Sequence, residues 1–284
     1  MYPASFEYLA PGSLQEAISL LSQYGDDAKL LAGGHSLVPA MKLRLQEPKY
    51  LIDIGRLPNM SGIRTEGDRL IIGALTLHAD VAVSDVVRRH APGLAEAAGR
   101  IGDAQVRNRG TIGGSVAHAD PNADYPVILL ALGASIAATG PNGSRTIPVD
   151  DFFVDLFTTA LEPNEVVTAV QVPFAPASAY AKFPHPASGY LVVSSGAVLA
   201  KDGSGNCASA RVAVGGLAGK PIRATAVESA LAGKPLNAET IAAAAAHAAD
   251  GADPDDDIYA SGEYKKHIAT VFARQAIEAA AARA

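Results

Sequence analysis

The chain has 284 residues, a formal net charge of −6 and 49% hydrophobic residues. Its length and apolar content predict two or three compact folded units, and its acidity argues against a nucleic-acid partner. Its single cysteine, Cys207, cannot form an internal disulfide or hold an iron–sulfur cluster, and no metal site is expected. No apolar run approaches the ~20 residues that a membrane span needs. Without a signal-peptide pattern at the start, a cytoplasmic protein is expected.

Residues 1–56 predict alternating strands and helices. A strand over residues 4–8 is followed by Ser13 and Glu16, which have the spacing of a capping box that opens a helix. Further strands are expected over residues 29–32 and 50–54, with a helix over residues 37–43 between them. This β-α-β-α-β order favours a small, largely parallel sheet.

The remainder predicts two further units, so the expected fold class is α+β. Residues 57–175 combine two hairpins, a mostly helical stretch over residues 78–101 and a helical run over residues 124–132. Residues 176–284 follow a linker near residues 174–179 and predict a C-terminal domain of three antiparallel strands and three helices. The strands are expected near residues 179–183, 190–200 and 208–215, and the helices near residues 224–232, 238–249 and 261–282.

Two glycine-rich turns carry the main functional signal. Residues 32–36 and 111–115 each lead toward a helix, and glycine lets the backbone approach a ligand closely. Amide groups at a helix N-terminus bind anions, typically phosphates. Two such turns suit a ligand with two phosphates, so a dinucleotide cofactor is the leading interpretation. Two ordinary tight turns remain the alternative, because neither the GxGxxG nor the GxxxxGK[ST] spacing is present.

The sequences around both turns resemble the flavoprotein subunits of molybdenum hydroxylases, a family that includes the medium subunit of aerobic carbon monoxide dehydrogenase and the FAD domain of xanthine dehydrogenases. The resemblance lies in residues 32–42, 101–115 and 117–126, and extends to the C-terminal residues 215–223 and 259–267. It implies two FAD-binding subdomains followed by a C-terminal α+β domain, with FAD in the cleft between the first two.

The resemblance also implies which residues contact FAD. The first loop would bind the pyrophosphate and the second would cover its other face. Asp124 would accept hydrogen bonds from the ribityl or ribose hydroxyls, and Lys182 would reach the flavin from the C-terminal domain, with Tyr190 covering the ring. The full predicted set is Ala32, Gly33, Gly34, His35, Ser36, Leu37, Thr76, Ile101, Thr111, Gly113, Gly114, Ser115, His118, Asp120, Asp124, Lys182 and Tyr190.

Several of these residues have simpler structural interpretations. Asp124 and Thr76 are each compatible with a helix N-cap, although the resemblance puts Thr76 near the adenine half of FAD. Ile101 is expected either near the isoalloxazine or in the core, and Lys182 is otherwise an exposed strand lysine. His118, Asp120 and His35 are expected beside the cofactor, and no catalytic residue is assigned.

The implied activity is electron relay. An iron–sulfur small subunit with 2Fe–2S clusters would reduce FAD, a molybdenum large subunit with molybdopterin would oxidise the substrate, and the assembly would be a dimer of heterotrimers. Xanthine dehydrogenases carry acidic residues where Ser188 and Tyr190 stand here, which favours the carbon monoxide dehydrogenase type and a quinone, cytochrome or dye as acceptor. The alternatives are a self-contained flavin reductase of the UDP-N-acetylmuramate dehydrogenase type and a non-enzymatic nucleotide-binding module.

Overall fold

The computed structural model describes residues 2–284. The first part of the chain forms a three-stranded parallel sheet in the order β1-β3-β2, with helices in both connections. The predicted β-α-β-α-β order is confirmed. The elements are β1 (Glu7–Leu9), α1 (Leu14–Tyr24), β2 (Ala28–Leu31), α2 (Leu37–Lys42) and β3 (Tyr50–Asp53).

Helix α1 begins at the predicted capping box. Ser13 Oγ accepts a hydrogen bond from Glu16 N–H at 3.1 Å, and Glu16 Oε2 accepts one from Gly12 N–H at 2.7 Å. The acidic side chain therefore bonds the amide before the cap residue. Ala17 and Ile18 are buried on the face of α1 that packs against the sheet. This packing holds α1 against the parallel sheet, whose strand β2 leads into the first glycine turn.

A five-stranded antiparallel sheet in the order β4-β5-β10-β6-β7 forms the next layer. Both predicted hairpins are confirmed, and six helices connect β5 to β6. A small hairpin, β8 with β9, was not predicted. The elements are β4 (Ile63–Glu66), β5 (Arg69–Gly73), α3 (His78–Val83), α4 (Asp85–His90), α5 (Pro92–Gly99), α6 (Ala104–Arg107), α7 (Ile112–His118), α8 (Asp124–Leu132), β6 (Ser135–Gly140), β7 (Gly143–Pro148), α9 (Val149–Phe152), β8 (Phe153–Asp155), β9 (Thr158–Thr159) and β10 (Val166–Pro173).

The C-terminal part is a four-stranded antiparallel sheet in the order β11-β12-β13-β14, with three helices. The expected three strands and three helices are present, and a fourth strand of two residues, β14, joins them. It was missed because two residues carry no alternation that a sequence pattern can detect. The elements are β11 (Ser178–Pro184), β12 (Leu191–Lys201), β13 (Cys207–Gly215), β14 (Ile222–Arg223), α10 (Thr225–Leu231), α11 (Ala238–Ala245) and α12 (Gly262–Ala281).

Helix α8 joins the two larger layers, and each of its residues is buried. It packs on β12 and β13 of the C-terminal sheet. Close approach is possible because two positions on these strands are glycines. A Cβ on Gly196 would lie 3.1 Å from Ala131 Cβ, and one on Gly215 would lie 2.4 Å from Val127 Cγ2. The N-terminus of α8 is thereby held at the junction of the layers, beside the two glycine turns.

Among residues 2–284, no helix combines the length and apolarity required to cross a bilayer. The proposed boundaries near residues 56 and 175 fall between β3 and β4 and just after β10. They stay predictions.

Candidate functional site

The first glycine turn connects the C-terminal end of β2 to the N-terminus of α2. Gly34 has φ = 77°, a left-handed conformation that favours glycine. The amides of Gly33, Gly34, His35 and Ser36 have no hydrogen-bond acceptor among residues 2–284. Amides at a helix N-terminus that the chain leaves unpaired are satisfied by water or by a ligand. This turn can therefore donate several hydrogen bonds to an acceptor-rich group such as a phosphate.

The second glycine turn opens helix α7, and Thr111 is its N-cap. Its amides are engaged within the protein. Ile112 N–H donates to Thr76 O at 3.0 Å and Gly113 N–H to Ala74 O at 2.8 Å, while Gly114 N–H donates to Thr111 Oγ1 at 3.1 Å. The sequence predicts free amides at both turns, and the structure leaves them only at the first. The second turn contributes shape and the half-buried Ser115 side chain.

The two turns are in direct contact. A Cβ on Gly33 would lie 2.2 Å from Arg109 O and 2.8 Å from Gly110 Cα. A Cβ on Gly114 would lie 3.9 Å from Ala32 Cβ. Any side chain at position 33 would collide with backbone, which cannot move aside. Glycine at this position sets the spacing of the turns.

Thr76 is buried, and its hydroxyl is already paired within the protein. Thr76 Oγ1 accepts a hydrogen bond from Gly62 N–H at 2.9 Å and donates one to Gly62 O at 3.1 Å. Leu77, rather than Thr76, is the N-cap of α3, so the helix-cap interpretation is wrong. The hydroxyl thus binds both backbone groups of Gly62, and Leu75 N–H donates to Met60 O at 2.7 Å, so residues 60–62 are held against the strand-to-helix junction that supports the second turn.

Tyr190, Ser36 and Asp120 lie together at one edge of the first turn. Burial and the Asp120 charge raise the pKa of the Tyr190 phenol, and the nearby Ser36 hydroxyl opposes that shift. Tyr190 is 42% exposed, so its ring is accessible beside the turn. Asp120 Oδ1 also accepts a hydrogen bond from Asn122 N–H at 2.9 Å, and this local bond stabilises the loop that carries Asp120.

Asp124 and Lys182 form a buried ion pair. Lys182 Nζ lies 2.8 Å from Asp124 Oδ1, and their side chains are only 1% and 5% exposed. Lys182 Nζ also donates to Arg100 O at 3.1 Å, and Tyr180 Oη donates to Asp124 Oδ1 at 2.7 Å. Burial raises the pKa of the Asp124 carboxyl, while Lys182 and Tyr180 oppose the shift. Both simpler interpretations are wrong here: Ala123 is the N-cap of α8, and Lys182 is buried.

The remaining predicted residues lie on the elements that carry the two turns or next to them, and not all of them point toward the turns. Leu37 is the first residue of α2, and His35 Nδ1 lies 3.1 Å from Gly33 O. Half-buried Ile101 packs against the core, and its carbonyl accepts from Arg107 Nη1 at 2.9 Å. His118 lies at the opposite end of α7 from the turn, 5.1 Å from the Phe157 ring.

Three further residues contribute to the site and were not among the predicted contacts, although Tyr125 lies within the run 117–126 that carries the resemblance. Tyr180 holds Asp124, His78 packs behind the second turn, and Tyr125 contacts His78. Burial lowers the pKa of His78 to about 4, with smaller effects from the charges of His35 and Arg107. The one sequence signal for His78 was its place at a strand-to-helix junction.

These features fit the diphosphate of a dinucleotide. The first turn supplies unpaired amides, and glycine at position 33 keeps its backbone free of side-chain atoms. The described residues contain no group of three or more His, Cys, Asp or Glu side chains that would hold a metal ion.

Family comparisons cover nearly the whole chain. The FAD binding domain in molybdopterin dehydrogenase matches residues 4–175, and the CO dehydrogenase flavoprotein C-terminal domain matches residues 178–280.

Individual relatives align from end to end. The carbon monoxide dehydrogenase medium chain of Hydrogenophaga pseudoflava is 44% identical, covering 100% of this chain and 99% of that protein. The 6-hydroxypseudooxynicotine dehydrogenase complex subunit alpha of Paenarthrobacter nicotinovorans is 38% identical, with 100% and 97% covered. A solved chain of the Hydrogenophaga pseudoflava carbon monoxide dehydrogenase lacking the Mo-pyranopterin moiety superposes with a TM-score of 0.95, at 45% identity over 100% of this chain and 99% of that one.

Proposed function

The chain belongs to the family of flavoproteins that join the FAD-binding domain of molybdopterin dehydrogenases to the CO dehydrogenase flavoprotein C-terminal domain, and from this premise we propose that it is the FAD-carrying electron-transfer subunit of a molybdenum hydroxylase complex. The observation that carries the proposal is the row of unpaired amides at residues 33–36, pressed against the second glycine turn. FAD supplies the redox chemistry, since it exchanges electrons with both one-electron and two-electron partners.

The two turns have unequal roles in this proposal. The amides of residues 33–36 hold the pyrophosphate of FAD, because they are the donors without internal partners. The second turn closes the other side and offers the Ser115 hydroxyl. Tyr190 and Asp120 lie beside Ser36 at one edge of the first turn. Asp124 and Lys182 fix α8 and β11 beside the cleft, and their predicted contacts with the ribityl chain and the flavin ring stay predictions.

The proposed partners follow from what this chain lacks and from what its relatives are. With one cysteine, this sequence cannot ligate a 2Fe–2S cluster. Electrons would come from the clusters of an iron–sulfur subunit, and a molybdenum subunit with molybdopterin would oxidise the substrate, in a dimer of heterotrimers in the cytoplasm. The relatives named above act in carbon monoxide and 6-hydroxypseudooxynicotine dehydrogenases. The higher identity favours the carbon monoxide type.

Flavin content of the purified chain tests the cofactor assignment. Wild-type protein should be yellow and release one FAD per chain, measured by absorbance after denaturation. Gly33→Ala should lose most of it, because the new Cβ meets Arg109 O. Gly203→Ala is the matched control, since a Cβ at that position meets nothing within 4 Å. A colourless wild-type chain that FAD does not reconstitute would overturn the proposal.

Electron transfer is tested in the complete complex, co-expressed with its partner subunits. Substrate should bleach the flavin absorbance in the wild-type complex. In a Gly33→Ala complex the iron–sulfur absorbance should still respond, while the acceptor is no longer reduced. If the isolated chain instead reduces a substrate with NADPH and no partner, the self-contained reductase is the correct alternative.

A further inference from the structure

His78 lies directly behind the second glycine turn. It is the first residue of α3 and is only 4% exposed. Residues 74–78 run antiparallel to residues 110–113 and bind them through the backbone. His78 N–H donates to Gly110 O at 3.0 Å, next to the bonds that engage the amides of Ile112 and Gly113. The position of this short segment therefore sets the position of the turn.

The imidazole ring packs against Gly110. A Cβ on Gly110 would lie 2.5 Å from His78 Nε2 and 2.7 Å from His78 Cδ2, and the next nearest atom, Val106 O, would be at 3.2 Å. Gly110 in turn contacts the first turn, because a Cβ on Gly33 would lie 2.8 Å from Gly110 Cα. A continuous contact thus runs from the His78 ring through Gly110 to Gly33.

Tyr125 fixes the orientation of that ring. His78 Nδ1 lies 3.3 Å from Tyr125 Oη, and the ring centroids are 5.2 Å apart. Tyr125 is fully buried, and its hydroxyl has no other partner among residues 2–284. A buried hydroxyl is costly to leave unpaired, so the pair is held together and the imidazole is kept facing Gly110.

We propose that His78 is a positioning residue of the FAD site: its imidazole, oriented by Tyr125, sets how closely Gly110 approaches Gly33 and so fixes the separation of the two glycine turns. The inference rests on the proposed function, because it concerns the fit of the turns around FAD. It assigns His78 no contact with the flavin and no part in proton transfer.

A double-mutant cycle for FAD binding tests this role. Apo-protein is titrated with FAD, and the dissociation constant is read from quenching of flavin fluorescence. His78→Ala and Gly110→Ala should each weaken binding about tenfold, which corresponds to ~1.4 kcal/mol. The double variant should bind more tightly than the product of the single effects predicts, because the alanine Cβ at position 110 occupies space that the ring has left. Gly203→Ala should bind as wild type does.

The outcomes separate this inference from the function on which it rests. If wild-type protein fails to bind FAD, the proposed function is wrong. If wild type binds and His78→Ala binds equally well, or the single effects multiply without coupling, the positioning role is overturned.

Hydrogen exchange of the apo-protein gives a second readout. His78→Ala should speed exchange at Ile112 and Gly113, whose amides the 74–78 segment engages, and leave the amides of the C-terminal sheet unchanged.

Tyr125→Phe, a milder change, should also weaken FAD binding, but by a smaller factor than His78→Ala. Wild-type affinity in that variant would count against the orienting role of Tyr125.

Discussion

Lys182 of β11 and Asp124 of α8 meet across the junction between the C-terminal sheet and the FAD-binding part of the chain, with Nζ and Oδ1 2.8 Å apart and almost no solvent contact. Burying two charges is expensive, and their attraction compensates only when further hydrogen bonds satisfy both groups. Here Tyr180 supplies one to the carboxylate and Arg100 O accepts one from the ammonium. The pair therefore links β11 of the C-terminal sheet to α8.

Lys182→Met should be strongly destabilising, because it leaves the Asp124 charge buried without its partner. The expected loss in the free energy of unfolding is about 3–5 kcal/mol. Lys182→Met combined with Asp124→Asn should lose clearly less, since the remaining amide is neutral and still accepts from Tyr180. Urea denaturation of wild type, Lys182→Met, Asp124→Asn and the double variant measures the coupling. Additive losses would show that the two charges are not energetically paired.

Tyr180→Phe should cost less than the loss of Lys182. Tyr180 is buried, and its hydroxyl donates to Asp124 Oδ1 at 2.7 Å. Its removal leaves the carboxylate one bond short while the ion pair persists, so a loss of about 1–3 kcal/mol is expected. Tyr264→Phe is the matched control, because Tyr264 is 44% exposed. Equal unfolding midpoints for the two variants would contradict the role given to Tyr180.

The sequence predicts those parts of the site that depend on local signals. The capping box at Ser13 and the turn at Gly34 follow from residues within a few positions of one another, and the parallel sheet follows from the alternating order of strands and helices. The glycines at 33 and 110 then allow the turns to lie close together, as expected if both turns face one pyrophosphate. Conformations dictated by neighbours along the chain can be predicted without knowing the packing.

Features that depend on distant packing could not be predicted. Lys182 and Tyr180 reach Asp124 from 58 and 56 residues away, and nothing near Lys182 in the sequence distinguishes it from an exposed strand lysine. The amides of the second turn appeared free because their acceptors, Ala74 O and Thr76 O, belong to a segment about forty positions earlier. Pairing across such separations is decided by tertiary structure.

Thr111→Val should weaken both α7 and the cofactor site. Thr111 Oγ1 accepts the hydrogen bond from Gly114 N–H, and loss of an N-cap side chain costs about 1 kcal/mol. The released amide would also disturb the turn beside Gly33, so FAD should bind less tightly. Thr111→Ser keeps the capping oxygen and should restore both properties. Thermal unfolding and FAD titration check the pair, and failure of serine to rescue would mean that the Thr111 methyl group matters instead.

Titration of His78 should make the apo-protein lose stability in mild acid. Its pKa is lowered from 6.5 to about 4 by burial, with the charges of His35 and Arg107 acting in the same direction. Between those values the unfolded chain binds the proton more readily, so the folded state is favoured less as the pH falls.

The variant His78→Gln provides the comparison, because glutamine does not titrate in this range. Wild type should therefore lose about 3 kcal/mol more than His78→Gln across that window. At neutral pH the variant should be less stable than wild type, because the ring packs against Gly110, so the comparison is of slopes rather than absolute values. Other carboxyl and histidine groups titrate in both proteins and cancel in the difference. Urea denaturation at a series of pH values measures the two slopes, and parallel curves would show that His78 is protonated as easily in the folded protein as in the unfolded chain.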